Sequence, residues 1–367
     1  MTLTNVVDYD ALVFSVRDTR HIMTRQTIFS AVRGVLYAII VSAGWTCYGI
    51  AADTVVVYSA LDREFSEPIL KAYGQKSGVR VLPKFDVEST KTVGLTNLII
   101  VEAARPRCDL FWNNEILNTL RLKERGLLAP FQPSHARDLP ETFRAKDATW
   151  YGFAARARIL IVNTKLVAKA DRPKGIKDLL DPKWKGKIGI AKPLFGTTAT
   201  HAACLFSAWG DDRAKGFFRD LKANGVHVFS GNKQVALAAG SGEIAIGLTD
   251  TDDAMGEIDA GSAVSIIYPD RAADGLGTLF IPNVLAVIKG SSHPKEAEML
   301  ADYLLSPEVE GSLARGPSAQ IPLLKSTNVE ARVETPKTVH AMEVDFEAAA
   351  KIWDKVAAFL ASEFAVD

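Results

Sequence analysis

Three carboxylates, Asp250, Asp252 and Asp253, fall within four residues directly after the apolar run Glu243-Ile-Ala-Ile-Gly-Leu248. A short apolar run of this kind reads as a buried strand, whose C-terminal end would deliver the acids to a cleft. Carboxylates crowded at one strand end repel one another unless water, a helix N-terminus or a bound cation offsets their charge. The cluster is therefore either a helix cap or a ligand-binding feature, and spacing alone does not choose.

The other polar candidates also sit where strands give way to helices and backbone N–H groups point outward. They are Ser59 to Asp62, Ser89-Thr90-Lys91, Asn113-Asn114-Glu115, Gly196-Thr197-Thr198 and Asn232-Lys233. Gly196-Thr197-Thr198 precedes a helical pattern, so N–H groups, hydroxyls and the helix dipole converge there on a site suited to an anion; the plain alternative is a threonine N-cap. Lys91 and Arg158 could neutralise a carboxylate or phosphonate, although lone basic residues are most often solvated or paired. Asn113, Asn114 and Glu115 follow a strongly apolar strand and would either meet a ligand or cap the next helix. His201, on an Ala-rich helix, reads as a packed core histidine, and Tyr268 as a packing residue that could also offer an aromatic wall or a phenolate.

The elements that must position these groups follow from hydrophobic periodicity. Thr54-Val-Val-Val-Tyr58, Gly78 to Leu82 and Cys108 to Trp112 read as strands, separated by helical patterns at Phe65, Ile69, Leu70, Tyr73 and from Thr92 to Ala103. Tyr151 to Val162 is an extended run long enough to leave one domain and enter another. Beyond it, strands at Lys187 to Ala191, Val226 to Phe229 and the run before the acids alternate with helices at Ala199 to Trp209 and around Val235 to Ala239. Ser265 to Tyr268 and Thr278 to Ile288 return to strands, followed by helical segments from Pro294 to Leu305 and Ala341 to Phe364. The alternation predicts α/β architecture with a mostly parallel sheet covered by helices on both faces. Sites in such sheets lie at the carboxyl ends of the strands and between domains.

With 367 residues, 43 basic and 43 acidic, the chain suits two domains and has no net field for nucleic acid or an anionic membrane, and no basic run stands out. Arg25 and Arg33 precede the apolar stretch Gly34 to Gly44, and small residues follow at Gly49, Ala51 and Ala52. This is the pattern of a signal peptide over 1–52, with residues 1–22 reading as an over-long gene start; an uncleaved anchor is the minor alternative. Export to the periplasm would leave Cys108 and Cys204, whose contexts suit two buried free thiols better than a disulfide. Catalysis finds little support, because nucleophile-elbow, zincin, Walker and dinucleotide motifs are missing. A carboxylate pair for glycoside hydrolysis, Asp252 with Glu115, is the remote alternative.

The order of segments resembles the periplasmic solute-binding proteins of ABC importers, in the cluster that holds the ferric-ion-binding proteins. The likeness runs from Asp53 to about Leu324. It is carried by Val57-Tyr-Ser59, Asp109-Leu-Phe-Trp-Asn-Asn-Glu115, Arg158-Ile-Leu-Ile-Val-Asn-Thr-Lys165, Asp178-Leu-Leu-Asp-Pro-Lys-Trp-Lys-Gly-Lys-Ile-Gly189 and Leu304-Leu-Ser-Pro-Glu-Val309. The resemblance implies a two-lobed α/β fold. Lobe 1 would be 53–154 completed by about 266–325, and lobe 2 155–265 completed by the C-terminal helices 326–367. The lobes would close about a hinge on one small solute and present it, as a monomer, to a membrane permease.

Ferric members present adjacent tyrosines in the segment that here reads Leu248-Thr-Asp-Thr-Asp-Asp253, so Asp252 and Asp253 stand in their place. The family's histidine falls near Asp62, and its acidic ligand near Asn114 with Glu115 next to it. The resemblance thus implies iron(III) with a small anion, held by Asp62, Glu115, Asp250, Asp252 and Asp253, through oxygen but without phenolates. The rival ligand is a small organic solute such as an amino-phosphonate, its anionic end at Thr197 and Thr198 and its ammonium at the acids.

Overall fold

The computed structural model describes residues 53–86 and 92–365. The signal peptide expected over 1–52 and the candidates Thr90 and Lys91 lie outside these residues. Among the described residues no helix is long and apolar enough to cross a membrane.

One long strand organises the sheet. Strand β5 (Tyr151–Asn163) is buried at every position, and the neighbours along its two halves differ. Its first half, through Ala157, pairs antiparallel with β10 (Phe280–Ile288). From Arg158 onward it pairs antiparallel with β8 (Ile246–Asp250) on one side and β9 (Val264–Ile267) on the other. The first half-sheet continues from β10 through β3 (Leu110–Asn113) and β1 (Thr54–Ser59) to β2 (Arg80–Phe85), with the short β4 (Leu128–Ala129) also on β10. The second continues from β8 through β6 (Ile188–Ala191) to β7 (His227–Phe229).

Within each half the outer strands run parallel, which demands crossover connections. Helix α1 (Arg63–Ser77) supplies one, and α2 (Val93–Val101) leads into β3, which α3 (Leu117–Glu124) follows. In the second half, α4 (Gly196–Trp209) and α5 (Asp211–Ala223) connect β6 to β7, α6 (Asn232–Ser241) leads into β8, and α7 (Thr251–Asp259) follows it. Helices α8 (Pro294–Leu304) and α9 (Pro307–Arg315) follow β10. Consecutive strand residues alternate between two apolar cores, Phe111 and Leu160 entering one and Trp112 and Ile161 the other, as the two-residue period of a strand requires.

Two boundaries differ from the sequence reading. Helix α4 begins at Gly196, so Gly196, Thr197 and Thr198 form its first turn rather than a loop before it. The segment expected as one helix from Ala341 to Phe364 is instead α10 (Phe346–Lys351), α11 (Trp353–Phe359) and a π turn at Leu360–Phe364. The Asp345 side chain accepts from Ala348 N and starts α10 late. Helix α10 packs against both α3 and α4.

Where β5 passes between its two sets of neighbours, the ladder with β10 shifts register between Ile281 and Asn283. Ala154, in this stretch, has φ +43°, a left-handed conformation that costs an L-residue roughly 1 kcal/mol or more. Its backbone is held on both sides: its N–H donates to Glu310 Oε1 at 2.9 Å, and its carbonyl accepts from Asn283 Nδ2. Glu310, fully buried on α9, also accepts from Leu323 N, Leu324 N and Thr327 Oγ1, each at 2.9 Å. Burial pushes its carboxyl above the usual range, against the pull of these donors. Glu310→Ala would leave three buried N–H groups without an acceptor. The expected loss of stability is roughly 3 kcal/mol or more by urea unfolding, with a smaller loss for Glu310→Gln, which keeps one acceptor oxygen.

Candidate functional site

Arg158 is fully buried in β5, directly opposite Asp250 in the antiparallel ladder. Its Nη1 lies 2.7 Å from Asp250 Oδ1. The other carboxylate oxygen accepts from Thr197 Oγ1 at 2.5 Å and Asn232 Nδ2 at 3.0 Å. Arg158 also donates to Thr197 Oγ1, Thr198 Oγ1 and Asn232 Oδ1. Thr198 Oγ1 donates to Asn232 Oδ1 at 3.0 Å, closing the network. Burial alone would raise the Asp250 carboxyl; Arg158 and Arg156, with the Thr197 bond, outweigh it and hold it below the usual range.

This answers the choice left open for the acids. Asp250 occupies the N-cap position of α7, but its side chain makes no cap bond and turns into the network. Asp252 and Asp253 fall in the first turn of α7, where the helix dipole favours negative charge. Asp253 N donates to Asp252 Oδ1 at 3.1 Å. One carboxylate oxygen from each of Asp250, Asp252 and Asp253 can be chosen so that all lie within 4.8 Å of one another.

A second arginine, not singled out from sequence, enters the cleft. Arg156 lies two residues before Arg158 and so on the same face of β5. Its Nη1 is 3.6 Å from Asp252 Oδ2, and its Nη2 donates to the carbonyl of Asn114. Burial works against its charge, but Asp252, Asp250, Asp62 and Asp253 more than offset this and raise it above the ordinary guanidinium value. Arg156 Nε and Asn114 Oδ1 are both buried without a hydrogen-bond partner. Two basic side chains in an otherwise apolar strand, spaced by two, were the signal available for Arg156.

The cleft is lined by these groups and by the ends of three helices. Asp62, at the N-cap of α1, and Asn114 face it from the first half-sheet. Lys192, Phe195, Gly196, Thr197 and Thr198 face it from the β6–α4 junction, and Ser230, Gly231 and Asn232 from the start of α6. Helices α4, α6 and α7 all begin here without a side-chain bond from the N-cap residue, which leaves first-turn N–H groups of α4 and α6 for other acceptors, whereas in α7 Asp253 N is taken by Asp252. Gly196 has φ +55°, and a Cβ there would meet nothing within 4 Å; backbone conformation, not space, favours glycine. The inner cleft encloses about 30 Å3, room for about two waters. An outer cavity of about 320 Å3 shares Asp62, Asp252 and Asp253 with it and adds Glu64, Glu257, Phe65 and Lys233. At its edge Lys233 of α6 pairs with Glu64 of α1 at 3.3 Å.

Several expected site residues lie elsewhere. Glu115 is fully buried and accepts from Leu117 N, Asn118 N and Thr200 Oγ1, so it caps α3 instead of meeting a ligand. Asn113 donates to Glu115 and Thr119 and belongs to the same cap. Ser59 is buried against the carbonyl of Leu61. Tyr268 accepts from Glu334 N and lines a different surface groove, because β9 lies on the other side of β5 from β8. Arg158 is withdrawn behind the threonines. His201 is a buried core histidine, as read from the sequence, and Cys108 and Cys204 are buried free thiols.

A family model described as bacterial extracellular solute-binding protein matches residues 109–349. The chain belongs to this family. A probable ABC transporter periplasmic-binding protein of Sinorhizobium fredii is 27% identical, the match covering 87% of this chain and 86% of that one. Iron-bound HitA of Pseudomonas aeruginosa superposes with a TM-score of 0.75 at 23% identity, covering 84% of this chain and 99% of the other. AfuA of Actinobacillus pleuropneumoniae, solved with fructose-6-phosphate bound, superposes with a TM-score of 0.75 at 22% identity, covering 86% and 99%. At these identities the structures establish the two-lobed periplasmic binding-protein fold. As a member of this family it is a binder rather than an enzyme.

The buried pair predicts a specific stability pattern. Asp250→Asn or Arg158→Met alone leaves one charge uncompensated and is expected to cost roughly 3–5 kcal/mol, whereas Arg158→Met with Asp250→Leu should cost less than either single change. Calorimetric unfolding of the three variants checks this. A second prediction concerns His201, pushed down to about 3 by burial with a smaller contribution from Arg158. The unfolded chain binds this proton near pH 6.5 and the native protein only near 3, so stability falls as pH drops through that window, by up to about 1.4 kcal/mol per unit. His201→Gln should flatten this part of a pH–stability profile.

Proposed function

We propose that this solute-binding protein is exported to the periplasm, captures a small organic solute carrying an anionic group and an amine, and passes it to a membrane permease. One observation carries this reading. The N-terminus of α4 opens on the cleft without a side-chain cap, beside Arg156 and Lys192, while Asp62, Asp252 and Asp253 stand on the adjoining wall. A phosphonate, phosphate or carboxylate is the natural acceptor for N–H groups at a helix start, and an ammonium group suits the acids. Asn114 Oδ1, buried without a donor, supplies a further acceptor for such a group. The sugar phosphate bound by AfuA shows that the fold accommodates an anionic organic ligand in that relative.

A hard cation is the second reading, and the convergence of Asp250, Asp252 and Asp253 favours it. Iron-bound HitA shares the fold. Against it stand the two arginines, which already compensate Asp250 and Asp252, and the residues lining the cleft, none of which is tyrosine among those described. Glu115, expected in the ligand set, is committed to α3.

The inner cleft is too small for an organic solute unless the lobes part, so entry requires opening about β5 and β10. Native mass spectrometry of protein taken from its own periplasm, with metal analysis of the same sample, tests the reading. The expected result is a metal-free protein carrying a small organic mass. Stoichiometric iron without such a mass would replace this reading with the second.

A further inference from the structure

The chain is neutral overall, yet residues 165–187 hold eight basic and three acidic residues. They form no contiguous run, which is why no patch stood out in the sequence. Folding gathers them along turns on the second half-sheet. Lys169, Arg172, Lys174 and Lys177 rim a groove of about 720 Å3, and Arg271, from the loop after β9, joins them from the other side. Two acids also line it, but both are engaged by backbone: Asp178 Oδ2 accepts from Lys174 N and Gly175 N at 2.7 and 3.1 Å, and Asp270 Oδ2 from Ile176 N at 3.1 Å. Arg271 reaches Glu334 only at 3.8 Å, on an exposed surface. The rim therefore carries a positive excess outside the solute cleft.

The floor of this groove is different in character. It is formed by Ile266 and Ile267 at the end of β9 and by Tyr268 just after it, with both isoleucines half-buried. Among the described residues β9 pairs with β5 alone, so it is an edge strand of the sheet. An edge strand is a template for an added strand, with pockets for alternate side chains giving selectivity. Clustered cations around an apolar floor select what can be added. A flat anionic membrane could reach the rim lysines but not the isoleucines at the bottom of a concave groove.

We propose that this groove docks an acidic, extended segment of a partner protein, laid along β9 with its carboxylates on the basic rim and its apolar side chains on the sheet face of Ile267, which packs toward the same core as Ile176 of the basic segment. The interaction is independent of which solute occupies the cleft. It requires that the segment alternate acidic and apolar residues, since a strand presents successive side chains to opposite faces.

The test uses the full chain and a labelled peptide in which glutamate alternates with valine, followed by fluorescence anisotropy at low salt, with hydrogen exchange on the same complex. Binding is expected, with slowed exchange at residues 264–267, and roughly tenfold weakening in a Lys174→Glu, Arg271→Glu double variant whose unfolding midpoint matches wild type. A lysine-for-glutamate version of the peptide should not bind. Equal affinity for both peptides, unchanged affinity in the variant, or no protection of β9 would each overturn the proposal. Phosphatidylglycerol vesicles form the last arm: retention of the protein on vesicles without binding of the acidic peptide would overturn it in favour of a lipid surface.

Discussion

A guanidinium buried in the middle of the strand shared by both half-sheets has to be neutralised, and the cleft is built around that requirement. Arg158 is fully buried and so cut off from bulk solvent, which makes an opposite charge within hydrogen-bond distance necessary. The ladder between β5 and β8 does this by register, setting Asp250 directly across from it. Asp250 then fixes Thr197 and Asn232, the first turns of α4 and α6. Two helix starts that would otherwise depend on loop conformation are thereby tied to the sheet. Their uncapped N–H groups become a rigid acceptor-seeking surface.

Charge in the cleft follows from the same arrangement. Arg156 extends the positive side toward the first half-sheet through Asn114 and toward α7 through Asp252. The acids that looked like a concentrated negative site in sequence are therefore interleaved with positive groups. What faces the ligand is of mixed charge, with the starts of α4 and α6 and Lys192, the aspartates of α1 and α7, and Arg156 paired with Asp252 all lining one cleft. Such a surface discriminates by the relative placement of two opposite charges on the solute, which a lone ion of either sign does not supply. Hinge closure adds to this selectivity only when the ligand touches both lobes.

Much of the fold was legible because buried strands announce themselves. The β-branched and apolar runs at Thr54, Cys108, Lys187 and Thr278 all mark strands, and the alternation with helices gives the α/β class, but not the mostly parallel sheet expected, because β5 and β10 at its centre pair antiparallel with every neighbour. The sequence starts α4 at Ala199, three residues late, because positive φ at Gly196 has no signature beyond the glycine itself. The C-terminal helix was read as continuous because the Asp345 cap interrupts a pattern whose apolar spacing runs through it. In the site, residue types were legible and partners were not. Glu115 and Asp250 are both acids at strand ends; only three-dimensional register shows that one caps its own helix and the other answers an arginine ninety-two residues away. Arg156 was overlooked for the same reason, since its significance lies in Asp252 and Asn114, distant in sequence.

The most direct test is a crystal structure of protein purified from its own periplasm, with anomalous diffraction recorded at the iron edge. The account predicts an anion whose oxygens lie about 3 Å from the N–H groups of Gly196, Thr197 and Thr198, and no anomalous peak among Asp250, Asp252 and Asp253. An anomalous peak within roughly 2.6 Å of those three carboxylates, with Asp250 turned away from Arg158, would contradict it.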